Sequence, residues 1–290
     1  NIGLDVSLLD KRVNLVFDAY YKKTTDLLVN VPVPLSSGYS SVLQNIGAVE
    51  NKGIEFAIST DNVRGDNFTW KSSANIAFNR NQVLEIGNGV QQFFPTVPSG
   101  VLSLQQPVIV KVGYPLGTFW GYLTDGLYQN AAEIASQPTL NGVAATKPGD
   151  RRYKDISGAS GVPDGKISAA YDKVDLGSAQ PLFTAAFSNT LTFKGFDLHF
   201  SFQGVYGNKI FNALRQQLEI PSLAANVSSE LANYWTSTNT NTDIPRAANS
   251  PAAVVSDRTV EDGSFVRLKT LTLGYTIPKV VSEKDRKSVV

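Results

Sequence analysis

Few residues in this chain are of types that do chemistry. His199 is the only histidine, and the 290 residues include no cysteine and no methionine. Asp197 stands two positions before His199, so in a strand the two share a face and form a conceivable acid–base pair. No nucleophile accompanies them, and a polar strand face accounts for both, so catalysis is not expected. The stretch Asp155–Asp164 invites comparison with a calcium loop, which needs oxygen ligands at positions 1, 3 and 5 and glycine at position 6. Counted from Asp155, those positions hold Ser157, Ala159 and Ser160, so the pattern fails and turn formation explains the loop. Gly113, Gly117, Gly121 and Gly126 are followed by no Gly-Lys-Ser/Thr and open no helix. They are no phosphate cradle, and are expected to ease strand curvature or admit close backbone approach. No cofactor and no metal is expected.

The elements that carry these residues follow a rhythm. Phe196, Leu198, Phe200 and Phe202 alternate with Asp197, His199, Ser201 and Gln203, which gives a strand with one apolar and one polar side. Nine such segments are readable, near 3–9, 13–23, 49–60, 68–80, 108–112, 118–129, 182–193, 196–206 and 264–276. The fifth and sixth alternate poorly. The links between segments are short and long in turn, with long ones near 24–47, 81–106, 130–180 and 207–262. Ile210, Phe211, Leu214 and Leu218 in the last long link have helical spacing.

Tight turns at one rim and long loops at the other are how membrane barrels join their strands. The polar faces use Ser, Thr, Asn and Gln more than Lys and Glu, as suits a water-filled lumen. Charged residues make up 18% of the chain, below the ~25% usual for soluble domains. The net charge of +1 implies no polyanion and no nucleic acid. No apolar run approaches the ~20 residues of a membrane helix, so any crossing is by strands. The expected fold is therefore all-β, an antiparallel membrane-type barrel arc of about nine long strands with long extracellular loops, one partly helical. The competing reading is a soluble or surface-exposed carbohydrate-binding β-sandwich or adhesin, whose strands have the same period. A third, an outer-membrane enzyme, needs a nucleophile beside His199.

In a barrel, Lys71, Asn75, Asp197, His199 and Gln203 are expected to face the lumen. Trp70, near a short turn, is expected in the interfacial girdle, where aromatic rings sit at headgroup level. Trp120, Tyr122, Tyr128, Tyr234 and Trp235 are candidates for contact with a substrate or protein partner. For Trp120 and Tyr122 a lumen or plug-facing role stands against a place in the girdle, and for Tyr234 and Trp235 the competing role is helix packing.

Several segments resemble the C-terminal barrel region of the SusC/RagA family of TonB-linked outer-membrane transporters. Asn45-Ile-Gly-Ala-Val-Glu-Asn-Lys-Gly-Ile-Glu55 is similar to its strand-entry motif, and Val112-Gly-Tyr-Pro-Leu-Gly-Thr-Phe-Trp-Gly-Tyr122 with Thr124-Asp-Gly-Leu-Tyr-Gln129 to its glycine- and aromatic-rich segment. Pro148-Gly-Asp150, Tyr153-Lys-Asp155 and Asp164-Gly-Lys-Ile167 resemble its surface loop, and Phe196-Asp-Leu198 with Gly204-Val-Tyr-Gly207 follows in the expected order. Glu261-Asp-Gly-Ser-Phe-Val-Arg-Leu-Lys269 and Leu271-Thr-Leu-Gly-Tyr-Thr-Ile-Pro278 resemble a late strand.

The resemblance implies a TonB-dependent receptor in the outer membrane of a Gram-negative, Bacteroidetes-type bacterium. It implies a 22-stranded barrel with an N-terminal plug that imports oligosaccharides or peptides. A SusD-like surface lipoprotein would act as lid, and TonB–ExbB–ExbD would supply energy through an N-terminal region not represented here. Residues 1–279 are then expected to be an incomplete C-terminal barrel portion, and 280–290 a charged tail outside the native strands. The start at Asn1, rather than Met, is expected of a mature product or internal piece. Such a fragment is not expected to insert alone as a stable pore, because an open sheet edge in lipid leaves backbone groups unpaired.

Overall fold

The computed structural model describes residues 1–32, 36, 38–39, 41–87, 89–95, 106–140, 142–219, 226–247 and 254–277. In chain order the strands are β1 (Ile2–Leu8), β2 (Val13–Pro32), β3 (Ser41–Arg64), β4 (Phe68–Glu85), β5 (Gln92–Phe93), β6 (Val108–Lys111), β7 (Thr118–Tyr122) and β8 (Thr124–Leu127). Helix α1 (Ala131–Ser136) follows, then β9 (Arg151–Tyr153), β10 (Lys173–Ser178), β11 (Phe183–Phe193), β12 (Phe196–Tyr206) and β13 (Lys209–Phe211). Last come helix α2 (Ala213–Leu218), a 3-10 turn at Ser229–Asn233, β14 (Val260–Asp262) and β15 (Phe265–Tyr275).

Seven strands form one wall in the order β1-β2-β3-β4-β11-β12-β15, with every neighbouring pair antiparallel. The short turns 9–12, 65–67 and 194–195 lie at one rim, and 33–40, 86–182 and 207–264 connect the strands at the other. Lys194 and Gly195 both have positive φ, 47° and 88°. That backbone twist matches two right-twisted strands in a two-residue hairpin.

Register lines the apolar side chains up in rows across the wall. Ala19, Ile54, Phe78, Phe183 and Tyr206 make an upper row, and Phe68, Phe193, Phe196 and Tyr275 a lower one. Phe183 stacks on Tyr206 at 5.2 Å, and Phe196 meets Tyr275 at 4.5 Å. The rows are ten residues apart along β11, or about 33 Å of strand. At a tilt of ~40° that is about 25 Å of height, the apolar band of a membrane barrel. Among the described residues no second sheet covers this side. Phe187 is 45% exposed and Leu273 74%. A soluble sandwich would bury both, so the sandwich reading fails.

A small polar cluster, Asn189 with its cross-strand partner Ser72, interrupts the band. Asn189 is only 3% exposed. Its Oδ1 accepts from Trp70 Nε1 at 2.7 Å and from Ser72 Oγ at 2.6 Å. Asn62 Nδ2 in turn donates to Ser72 Oγ at 2.6 Å. Trp70 thus stands one row inside the lower aromatic row and satisfies an amide that hydrocarbon would otherwise strand.

Two of the nine expected strands do not join the wall. Segments 108–112 and 118–129 become β6, β7 and β8. The first two pair in a separate sheet, β10-β7-β6-β5, and β8 pairs with β9. The wall strands β2 and β3 run on through the expected link 24–47, reaching Pro32 and starting again at Ser41. The helical spacing from Ile210 holds only from Ala213, because Lys209–Phe211 pairs with β14. The tail 280–290 lies outside the described residues. The buried cores lie where the upper ends of β2, β3 and β4 meet the loop layer, and within that layer. One is Val49, Val83 and Ile86 with Leu27, Phe93 and Val110 packed on it, and the other is Phe119, Val255 and Val260.

Candidate functional site

The polar side of the wall is built by the same register. Asn75 aligns with Ala57, Ala186 and Gln203, and Ser73 aligns with Ser59, Ser188 and Ser201. Lys71 aligns with Thr190 and His199. Lys71, Asn75, Asp197, His199 and Gln203 therefore all lie on the polar face. Lys71 pairs with Asp61 at 3.5 Å, and Arg64 holds the same carboxylate at 2.6 Å. His199 Nδ1 shares a 3.0 Å hydrogen bond with Thr190 Oγ1 rather than meeting Asp197. Asp197 lies over Gly274 on the neighbouring strand, where a side chain would clash with its carboxylate. The acid–base pair is therefore not assembled.

A bulge in β15 between the partners of Ser201 and Phe202 inserts Lys269. Bulges re-aim side chains, and this one sends Lys269 into a groove of about 370 Å³ lined also by Asn75, Ser188, His199, Ser201 and Gln203. Hydroxyls, amides, one imidazole and one ammonium can hydrogen-bond a polar solute. Among the described residues no group of three or more His, Asp or Glu side chains is arranged to hold a metal.

Above the wall, the aromatic candidates separate. Trp120 packs edge-on to Tyr114 at 6.0 Å, with Lys111 Nζ 4.5 Å from its ring centre. Tyr122 is 5% exposed, sits 5.5 Å from Tyr153, and joins 255–257 through Tyr122 N to Val255 O at 3.0 Å. Burial pushes the Tyr153 hydroxyl up to about 12. Gly121, one residue earlier, lies where a Cβ would strike Leu176 and the Val255 carbonyl. Tyr128 is 2% exposed and donates its hydroxyl to the Pro138 carbonyl.

Trp235 covers the turn at Pro148-Gly149-Asp150. Its ring lies on Gly149, whose φ is +87°, and its Nε1 donates to Gln129 Oε1 at 2.9 Å. Arg246 Nε holds Asp150 Oδ1 at 2.6 Å. The structure thus brings Tyr128 and Trp235 together around one turn, with Tyr122 and Trp120 elsewhere. As contact residues, Tyr122 and Tyr128 are corrected: their rings are spent on packing inside the loop layer. Tyr234 stays exposed after the 3-10 turn.

Two features of this layer carry no signal in sequence. Arg258 bridges Glu219 at 2.9 Å and also meets Asp243, which Arg151 holds at 2.7 Å; Arg215 ties Glu219 to Glu261, both at 2.8 Å. Apart from Arg215–Glu219, the pairs of the network join residues 15 to 92 positions apart in sequence. Burial works against ionisation of Asp243, but Arg151 and Arg258 outweigh it and hold the carboxyl below its ordinary range. Asp172, fully buried, accepts from the backbone N–H groups of Ile156, Ser157 and Ser168 at 2.8, 3.2 and 2.7 Å. Burial pushes its carboxyl up, and these bonds more than offset that, leaving it below the usual carboxylate range.

A wall of this kind, apolar outside and polar inside with a folded loop layer on one rim, has a family. Residues 1–193 match the model described as TonB dependent receptor-like, beta-barrel. This chain belongs to that family. TonB-dependent receptor P3 of Formosa agariphila is 40% identical over 279 residues, which is 96% of the chain and 27% of the receptor. TonB-dependent receptor SusC of Bacteroides thetaiotaomicron is 26% identical over 295 residues, covering all of the chain and 27% of SusC. The solved RagAB peptide transporter superposes with a TM-score of 0.75 at 26% identity, over 96% of the chain and 28% of that protein. The chain thus spans about a quarter of the length of its relatives (27–28%). These relatives are named as receptors and as a peptide transporter.

Proposed function

We propose that this chain is a portion of the wall and loops of an outer-membrane TonB-dependent importer of oligosaccharides or peptides. The polar face lines the lumen, and Asn75, His199, Ser201, Gln203 and Lys269 offer hydrogen bonds along the path of a polar solute. The loop layer stands outside the cell and carries a SusD-like lipoprotein as lid. Energy comes from TonB–ExbB–ExbD through another part of the receptor. The observation that carries the reading is the wall's pair of faces, with two aromatic rows about 25 Å apart bounding an uncovered apolar band. The kinship with SusC and with a peptide transporter supports nutrient uptake.

Spin labels on the full-length receptor in vesicles test the faces. A label at Leu198 is expected to be quenched by lipid-dissolved oxygen, and one at Ser201 by a water-soluble relaxant. The reverse pattern overturns the reading. Uptake of labelled oligosaccharides and peptides by cells with and without the receptor tests transport. Uptake that survives loss of the receptor, or collapse of the proton gradient, refutes it.

A further inference from the structure

We infer that the outward rim of the wall binds the phosphorylated headgroup of an outer-leaflet glycolipid, with an acyl chain in the groove beneath. The inference rests on the reading of the apolar face as lipid-facing. Directly above the row Ile54–Phe78–Phe183–Tyr206, the next outward positions are Tyr21, Lys52 and Arg80, which are cross-strand partners in register. Like charges directly opposite on a sheet repel. Lys52 and Arg80 nevertheless stand side by side, and Lys23 completes the group one step higher, opposite Glu50.

Glu50 is the only carboxylate in this group, and it is committed: Lys52 Nζ donates to it at 3.0 Å and the Tyr21 hydroxyl at 3.2 Å. Among the described residues Arg80 has no ion pair. Its Nη1 is held by the carbonyls of Leu182 at 2.9 Å and Asn79 at 3.1 Å. Those bonds fix the guanidinium at the rim and leave its remaining N–H groups free. Three cations against one carboxylate leave two charges uncompensated, at the depth where a membrane presents phosphates. A dianionic phosphate between Lys52 and Arg80 would turn their repulsion into a clamp.

Below Leu182 the wall is indented. Ala185 and Gly204 form the floor of an apolar groove between Phe183, Phe187, Phe202 and Tyr206, with a volume of about 620 Å³. The small residues sit in one row, with aromatic rows above and below it about 13 Å apart along the strands, so the groove runs across the strands beneath Phe183 and Tyr206. A phosphate alone needs only the rim. A phosphorylated lipid uses both parts.

The test uses the full-length receptor in zwitterionic nanodiscs doped with a diphosphorylated glycolipid, with retained lipid counted by native mass spectrometry. Each rim cation is expected to contribute about fivefold, so K52Q/R80Q is expected to lower retention about thirtyfold while folding normally by heat-modifiable mobility. A185W, which fills the groove and keeps the charges, is expected to weaken retention as well. K71Q, on the opposite face, is expected to change nothing. Equal retention by wild type and K52Q/R80Q overturns the inference, as does equal retention of the dephosphorylated glycolipid. Full displacement by millimolar inorganic phosphate assigns the rim to a free anion and also overturns it. A receptor that does not enter the disc at all refutes the lipid-facing wall itself, a different failure.

Discussion

The two faces of the wall predict opposite responses to the same substitution at adjacent positions. Phe187 lies on the outward side four residues below Phe183, and Phe193 lies six residues further on. At ~3.3 Å per residue and a tilt of ~40°, that puts Phe187 about 10 Å beneath the upper aromatic row and about 15 Å above the lower one, near mid-depth. Phe187→Arg is expected to destabilise the folded receptor by ~2–4 kcal/mol, or thirtyfold and upward in the folding equilibrium. Phe193→Arg, at the lower interface, is expected to cost only ~0–1 kcal/mol. Ser188, one residue from Phe187, lies on the polar face and meets Ser73 Oγ at 2.7 Å. Ser188→Arg is expected to stay within about 0.5 kcal/mol of wild type. The assay is reversible urea unfolding of the full-length receptor in lipid vesicles, followed by tryptophan fluorescence and heat-modifiable mobility. A Phe193→Arg cost equal to that of Phe187→Arg, or a Ser188→Arg cost above both, would refute the assignment of faces and depth.

Trp70→Phe keeps the ring but removes the donor to Asn189, and is expected to cost ~1–2 kcal/mol in the same assay; an unchanged midpoint would show that the amide needs no such partner. Gly149→Ala forces a side chain into the Trp235 ring at a φ of +87°. It is expected to raise protease sensitivity across 128–150 and 233–246 while the wall stays heat-modifiable, and unchanged cleavage would contradict the packing. Asp172 has a lowered pKa. Its contribution to loop stability is therefore complete above its unfolded value of ~3.9 and is lost as pH falls through the lower folded one. Limited proteolysis between pH 5 and 2 is expected to show a transition at 155–172 that Asp172→Asn lacks, because the variant loses the same contacts at every pH. A transition common to both proteins would place its cause elsewhere.

Much of the wall is legible in the chain because its cause is local. A strand exposes alternate residues to opposite sides, so the runs at 13–23, 68–80, 182–193 and 196–206 declare themselves whatever they pair with. The spacing of short and long links also survives in the structure, because a two-residue turn such as Lys194-Gly195 admits only a hairpin. Alternation does not say which sheet a strand joins. That is why 108–112 and 118–129 read as wall and proved to be loop-layer strands, and why the upper ends of β2 and β3, beside a Pro- and Ser-rich stretch, read as a link.

The aromatic candidates divide for the same reason. A tyrosine in a glycine-rich segment looks equally fit for a ligand or for a neighbouring strand, and only the approach of Val255, Tyr153 and Pro138 decides that Tyr122 and Tyr128 are interior. The ion network of Arg151, Arg215, Glu219, Asp243, Arg258 and Glu261 left no trace in spacing, because charges pair through space and the chain brings these together only after its long loops have folded.

By itself, then, the sequence determined that this chain is made of two-faced antiparallel strands with turns at one rim, since period and turn chemistry act over a few residues. The tertiary structure decided which strands share the wall, which face remains uncovered, and which polar groups meet. Those depend on register across strands, and register sets the distances at which hydrophobic burial, hydrogen bonds and charge act.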